Sequence, residues 1–177
     1  MNDSNINEQR WKKREILHMK TYEILNTNNE VIFSGQFNSF KECVAAATQN
    51  GIDSPGKYYK TFYDNGQLKS KFIYLDNTVD GLYESFYNNG QLSLKCTYKD
   101  GRLDGLYESF WENGNIEIKC TYKNGKKNGF YERFHENGQL AIRCTFVDNR
   151  KEGMCEAFHE DGKVSIKGSY KNNIYIF

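Results

Sequence analysis

With 177 residues, 38% of them hydrophobic and 15% aromatic, and a formal net charge of +1, the chain suffices for one domain or one array with a small cap. The near-neutral balance argues against a nucleic-acid binder, and no stretch approaches the ~20 apolar residues of a membrane span. The opening MNDSNINEQRWKKR lacks the apolar core of a secretory signal, so the sequence reads as cytoplasmic.

Residues 1–20 read as a flexible or short helical segment. Met1 to about Glu8 is polar enough for disorder, and Arg10–Lys20 mixes basic residues with Trp11, Ile16 and Leu17. Residues 21–55 read as a ββα cap. Tyr22–Leu25 and Val31–Phe37 alternate as strands around Asn26–Glu30. A helix follows, with Ser39 as N-cap and Glu42 completing a capping box. Phe40, Val44 and Ala47 share one face, and Gly51 sits where a glycine stops the helix.

Residues 56–177 hold five 24-residue units: Gly56–Val79, Asp80–Leu103, Asp104–Lys127, Asn128–Lys151 and Glu152–Tyr175. A fixed period marks an array whose parts touch mainly their neighbours. Each unit has two apolar-alternating runs around Asn-Gly, or Asp161-Gly162 in the last, read as a two-residue type I′ hairpin loop. A second turn joins the units, as in Lys99–Arg102. The fold class is therefore mainly β: an elongated antiparallel meander of five hairpin repeats behind a small cap.

The two-residue loop sets a register in which Tyr87 opposes Leu92, Ser85 opposes Leu94 and Tyr83 opposes Cys96. One face then carries Tyr83, Tyr87, Leu92, Leu94, Cys96 and Tyr98. On the other, Glu84 meets Lys95, Glu108 meets Lys119, Glu132 meets Arg143 and Glu156 meets Lys167. Opposite charges directly across a sheet contribute ~0.2–1 kcal/mol per pair. The first unit breaks the rule, with Lys60 opposite Lys71. Leu82 and Phe86 lie on the charged face, so a single sheet must curl, pack against the N-terminal segment or bind another chain.

Cys96, Cys120 and Cys144 recur at one position of successive units, roughly 9–10 Å apart, too far for a disulfide or a shared zinc ion. They read as reduced, buried apolar residues, and Cys43 and Cys155 are read alike. His135 and His159 hold the position of Tyr63, Tyr87 and Trp111, so they read as planar members of a row rather than catalysts. No catalytic residue, metal ligand or cofactor site emerges, and the glycines recur singly at turns.

The unit G-x-Y-x-x-F-x-x-N-G-x-L-x-x-K-x-x-Y-x-N-G, carried by Gly81, Tyr83, Phe86, Asn89, Gly90, Leu92, Lys95, Tyr98 and Gly101, resembles the MORN repeat. It is closest to the variant in bacterial proteins labelled antitoxin components. The run VIFSGQFNSFKECVAAATQNGI resembles the segment that opens many phage-associated pentapeptide-repeat proteins. These resemblances imply an interaction module with a protein partner: a toxin, or a host defence effector such as a CRISPR nuclease blocked by a phage-borne inhibitor. The expected contact row is Tyr83, Tyr87, Tyr107, Trp111, Tyr131 and His135, with Arg133 beside it. The competing expectation is a structural homodimer paired through the C-terminal edge, Asn172–Phe177. Stacking of single-stranded nucleic acid on the rings is disfavoured by the glutamate opposite each lysine.

Overall fold

The computed structural model describes residues 19–52, 57–75 and 78–176. The disorder expected before Glu8 and the helix expected from Arg10 fall outside them. Strands β1 (Lys20–Leu25) and β2 (Val31–Phe37) precede helix α1 (Phe40–Gln49). The repeats then supply β3 (Lys57–Phe62), β4 (Leu68–Leu75), β5 (Thr78–Phe86), β6 (Leu92–Lys99), β7 (Arg102–Phe110) and β8 (Ile116–Lys123). They continue through β9 (Lys126–Phe134), β10 (Leu140–Val147), β11 (Arg150–Phe158), β12 (Val164–Lys171) and β13 (Ile174–Ile176). All 13 strands form one antiparallel meander, broken in order only where β1 slips between β2 and β3. At about 4.8 Å per strand the sheet extends roughly 57 Å across its strands.

The cap joins the array by backbone pairing and by packing. Strand β1 pairs with β3, so the first repeat strand is no edge, and β2 becomes the outer one. Helix α1 starts on Ser39, whose Oγ accepts the Glu42 N–H at 3.3 Å. The Glu42 carboxylate reaches back to the Asn38 N–H, one residue earlier than a capping box requires. The helix stops in a Schellman turn: Gly51 N–H donates to Thr48 O and Ile52 N–H to Ala47 O. Its inner side buries Cys43 and Ala47 against Tyr22, Ile24, Tyr59 and Phe72. A fully buried side chain such as Ile24 contributes about 1.5–3 kcal/mol, which anchors this end.

The charge register forms as expected and runs on between units. Glu84–Lys95, Glu108–Lys119, Glu132–Arg143 and Glu156–Lys167 pair within units, while Lys71–Glu84, Lys95–Glu108, Lys119–Glu132 and Arg143–Glu156 face each other across unit boundaries. Lys60 does oppose Lys71, and the cap answers it: Lys60 Nζ lies 4.0 Å from Glu23 of β1, while Lys71 Nζ stands 5.2 Å over the Tyr58 ring.

The type I′ turns do not fall at the Asn-Gly loops, where they were expected. Type I′ geometry belongs to the joints between units, where both central residues take positive φ: Asp100 and Gly101 (50°, 72°), Asn124 and Gly125 (50°, 77°), Asp148 and Asn149 (48°, 67°). Within a unit, Tyr87 N–H donates to Gln91 O at 2.7 Å and only Gly90 turns left-handed, giving a three-residue loop. Ser93 is then an extra residue, so Phe86 rather than Tyr87 opposes Leu92, and Leu92 moves to the charged face.

Cys144 and Cys155 both depart from the reduced reading. Cys144 and Cys155 are direct cross-strand partners, 4.4 Å apart at Cα, and are joined in a disulfide. Cys96, Cys120 and Cys144 remain unbridged to one another, because a tyrosine faces the cysteine at the earlier unit boundaries, and only at β10–β11 is that tyrosine a cysteine.

Candidate functional site

The ring-bearing face divides into two rows with different jobs. Tyr63, Tyr87, Trp111 and His135 each open a hairpin loop and bond to the backbone one unit further on. Tyr63 Oη donates to Phe86 O (2.7 Å), Tyr87 Oη to Phe110 O (2.5 Å) and Trp111 Nε1 to Phe134 O (3.3 Å). His135 Nε2 lies 3.0 Å from Phe158 O; a carbonyl only accepts, so this nitrogen carries the proton. The expected contact residues Tyr87, Trp111 and His135 thus staple the array through their polar tips, leaving ring faces half exposed.

The Asn-Gly asparagines act beside them. Asn89 Oδ1 accepts the Gln91 N–H, and its Nδ2 donates to Glu112 O of the next unit; Asn113 and Asn137 repeat both bonds, to Glu136 O and Glu160 O. Asp161, in the last unit, keeps the first bond, to Lys163 N–H, and has no amide to offer forward.

The second row is Tyr83, Tyr107 and Tyr131, set against Tyr98, Tyr122 and Phe146 at ring-centroid distances of 6.0, 5.6 and 5.6 Å. Tyr83 is drawn into the cap's core, stacked on Phe72 at 5.8 Å. Burial pushes the Tyr107 and Tyr131 hydroxyls upward, and Tyr122 to about 12. Cys96 and Cys120 lie beneath these rings, and burial lifts each thiol to about 11. Protonated at neutral pH, neither is a nucleophile.

Trp111, Arg133 and His135 come together. They line a groove of about 420 Å³ at the loop end of the wall, together with Ala141, Ile142 and Ala157 and with Glu136 and Glu160. Arg133 sits opposite Ile118 and Ile142, on the ring face and not the charged ladder. At its position Ser85 bonds Ser93 and Ser109 bonds Glu117; the residue facing Arg133 in that pattern is Ala141, which offers no acceptor. The guanidinium is exposed at the groove wall.

The apolar positions expected on the charged face, Leu82 and its equivalents, stay exposed. On the charged face Leu82, Leu106, Phe130 and Met154 form an exposed apolar row, with Phe130 71% accessible and a hollow of about 260 Å³ between it and Leu106. Their shared position after each unit's opening glycine was the available signal. No helix among the described residues is long and apolar enough to cross a membrane.

A family model described as a MORN repeat variant matches residues 57–76, 79–100, 103–124, 127–148 and 151–172, each span covering one hairpin. Comparison with curated proteins found no match.

Proposed function

The chain is a member of the MORN repeat variant family, and from that premise we propose that it is a non-enzymatic binding array that neutralises a protein partner by occlusion. The observation that carries this reading is the groove of Trp111, Arg133, His135, Ile142 and Ala157, where an exposed guanidinium stands between planar rings and small apolar side chains, with Glu136 and Glu160 also lining the groove. Planar side chains already tied to the backbone add contact area at little further entropic cost. The antitoxin-type resemblance of the repeat and the phage-type resemblance of the opening module support an inhibitory role. The partner is then a toxin or a host defence effector such as a CRISPR nuclease, met in the cytoplasm.

Arg133→Glu is the direct test, because the side chain is exposed and its replacement leaves the staples in place. Co-purification of tagged full-length chain from a native host should yield one stoichiometric foreign protein, lost with Arg133→Glu while thermal unfolding is unchanged. Equal recovery with both proteins would move the site off this groove. A second reading, a self-assembling scaffold, is favoured by the exposed strand β13, where Ile174 is 69% accessible, and by the Phe130 row. It requires self-association in sedimentation that Phe130→Ser or Ile174→Asp dissolves.

A further inference from the structure

Helix α1 covers one end of the ring wall and shows what that wall accepts. Its Phe40 ring meets Tyr59, Phe72 and Tyr74 edge-on, at centroid distances of 4.9, 5.2 and 4.9 Å. Cys43 and Ala47, one and two turns further on, are fully buried beside it. The 24-residue period repeats this receiving surface. One unit later its three places are held by Tyr83, Cys96 and Tyr98, and two units later by Tyr107, Cys120 and Tyr122. In these copies a buried thiol stands where Phe72 stands at the capped end, and the flanking rings keep nearly the same spacing, 6.0 and 5.6 Å against 5.9 Å between Tyr59 and Tyr74. Among the described residues no element covers the wall beyond the cap, and it continues directly from the α1 interface.

Charge adds a second constraint. Lys127 Nζ stands 4.6 Å over the Tyr131 ring and Lys151 Nζ 5.0 Å over the Tyr170 ring, with exposed Arg133 close by. Carboxylates are present too: Glu117 accepts from Ser109 Oγ at 3.1 Å, and Glu136 and Glu160 line the groove beside Arg133.

Resting on the partner-binding reading above, we propose that the partner docks an amphipathic helix on this wall. The helix sets an aromatic side chain in the nest of Tyr107, Cys120 and Tyr122, as Phe40 is set at the capped end, and turns acidic residues toward Lys127 and Arg133. Successive nests lie two strands, about 9.6 Å, apart. Seven helical residues span about 10.5 Å, so a longer helix crossing the strands would meet the next nest with every seventh side chain.

The probe is a stapled, fluorescein-labelled peptide of residues Asn38–Ile52 carrying Lys41→Glu, titrated against the full chain by fluorescence anisotropy. Saturable binding is expected. It should weaken roughly tenfold or more, the loss typical of a central anchor, with Phe40→Ala in the peptide or Tyr122→Ala in the protein, and it should weaken with added salt and with Lys127→Glu. Phe130→Ala, on the opposite face, should leave it unchanged. Should Tyr122→Ala fail to fold, the Phe40→Ala peptide and Lys127→Glu decide alone. Absence of binding, or binding indifferent to Phe40→Ala, overturns the proposal, as does a dimer in sedimentation that masks the wall. If the peptide fails while Arg133→Glu still abolishes partner capture, the helix is wrong and the binding function stands; loss of the Arg133 effect removes the binding function itself.

Discussion

The loop asparagines offer the sharpest test of how the units are coupled. In Asn113→Asp the carboxylate still accepts the Asn115 N–H, at 2.9 Å in the parent, so the loop itself stays closed. The forward bond from Nδ2 to Glu136 O, also 2.9 Å, is lost, and an anion then faces a carbonyl oxygen. One neutral hydrogen bond is worth about 0.5–1.5 kcal/mol. Glu136 O keeps its second donor, Asn115 Nδ2 at 2.9 Å, so it is not orphaned and the loss lies toward the lower end. Repulsion in this exposed setting adds a few tenths, damped by salt. The sum is about 1 kcal/mol, or about 2–4 °C in Tm for a chain of this size. Asp161→Asn makes the mirror change where no described unit follows, and it should move Tm by less than about half as much. Thermal unfolding of both variants in low and high salt measures the contrast, with hydrogen exchange at 111–116 localising it. Equal effects at the two positions would refute the claim that these side chains couple neighbouring units.

Gly129→Ala should cost more than Gly153→Ala in urea denaturation. Both positions carry positive φ (107° and 79°), but a Cβ at Gly129 would stand 2.5 Å from Thr121 Oγ1 while none lies within 4 Å at Gly153. The strain common to both is about 1–2 kcal/mol, and the clash adds roughly 1–3 kcal/mol at Gly129 alone; equal costs would remove the steric account. Stability should fall in alkali: Cys43, Cys96 and Cys120 titrate near 11 when folded and near 9 when unfolded, so their contribution is complete below pH 9 and is lost as pH climbs through 11. Urea midpoints that stay level or rise between pH 9 and 11 would contradict this burial. Thiol titration in denaturant should find Cys43, Cys96 and Cys120 free before reduction and all 5 cysteines after it; full reactivity at the outset would refute the Cys144–Cys155 bond.

Much of the site was readable in advance as positions, less so as roles. Trp111 and His135 were expected in one row with Arg133 beside it, and all three line one groove. The staple function of Trp111 and His135 was not readable, because each acceptor is a backbone carbonyl of the next unit, and a carbonyl carries no sequence signature. Tyr83 belonged to the same row by period, yet its neighbour Phe72 and the helix above place it in the cap's core. The apolar row on the charged face was legible from Leu82 and its equivalents; that it stays exposed follows from α1 packing on the ring face.

The amino-acid order alone determined the period, the meander and the Glu–Lys register, because each depends on residues in adjacent strands whose spacing the chain itself sets. Tertiary structure decided which turn each glycine made. An Asn-Gly pair serves a type I′ loop or a three-residue loop equally well, and all five loops, the one with Asp161-Gly162 included, close as three-residue loops on the N–H of the ring-bearing residue that opens them. It also decided that β1 answers Lys60, that α1 shields only the first rings, and that Cys155 meets Cys144. Those outcomes arise from contacts between elements that periodicity does not relate, and only the assembled sheet brings them within range.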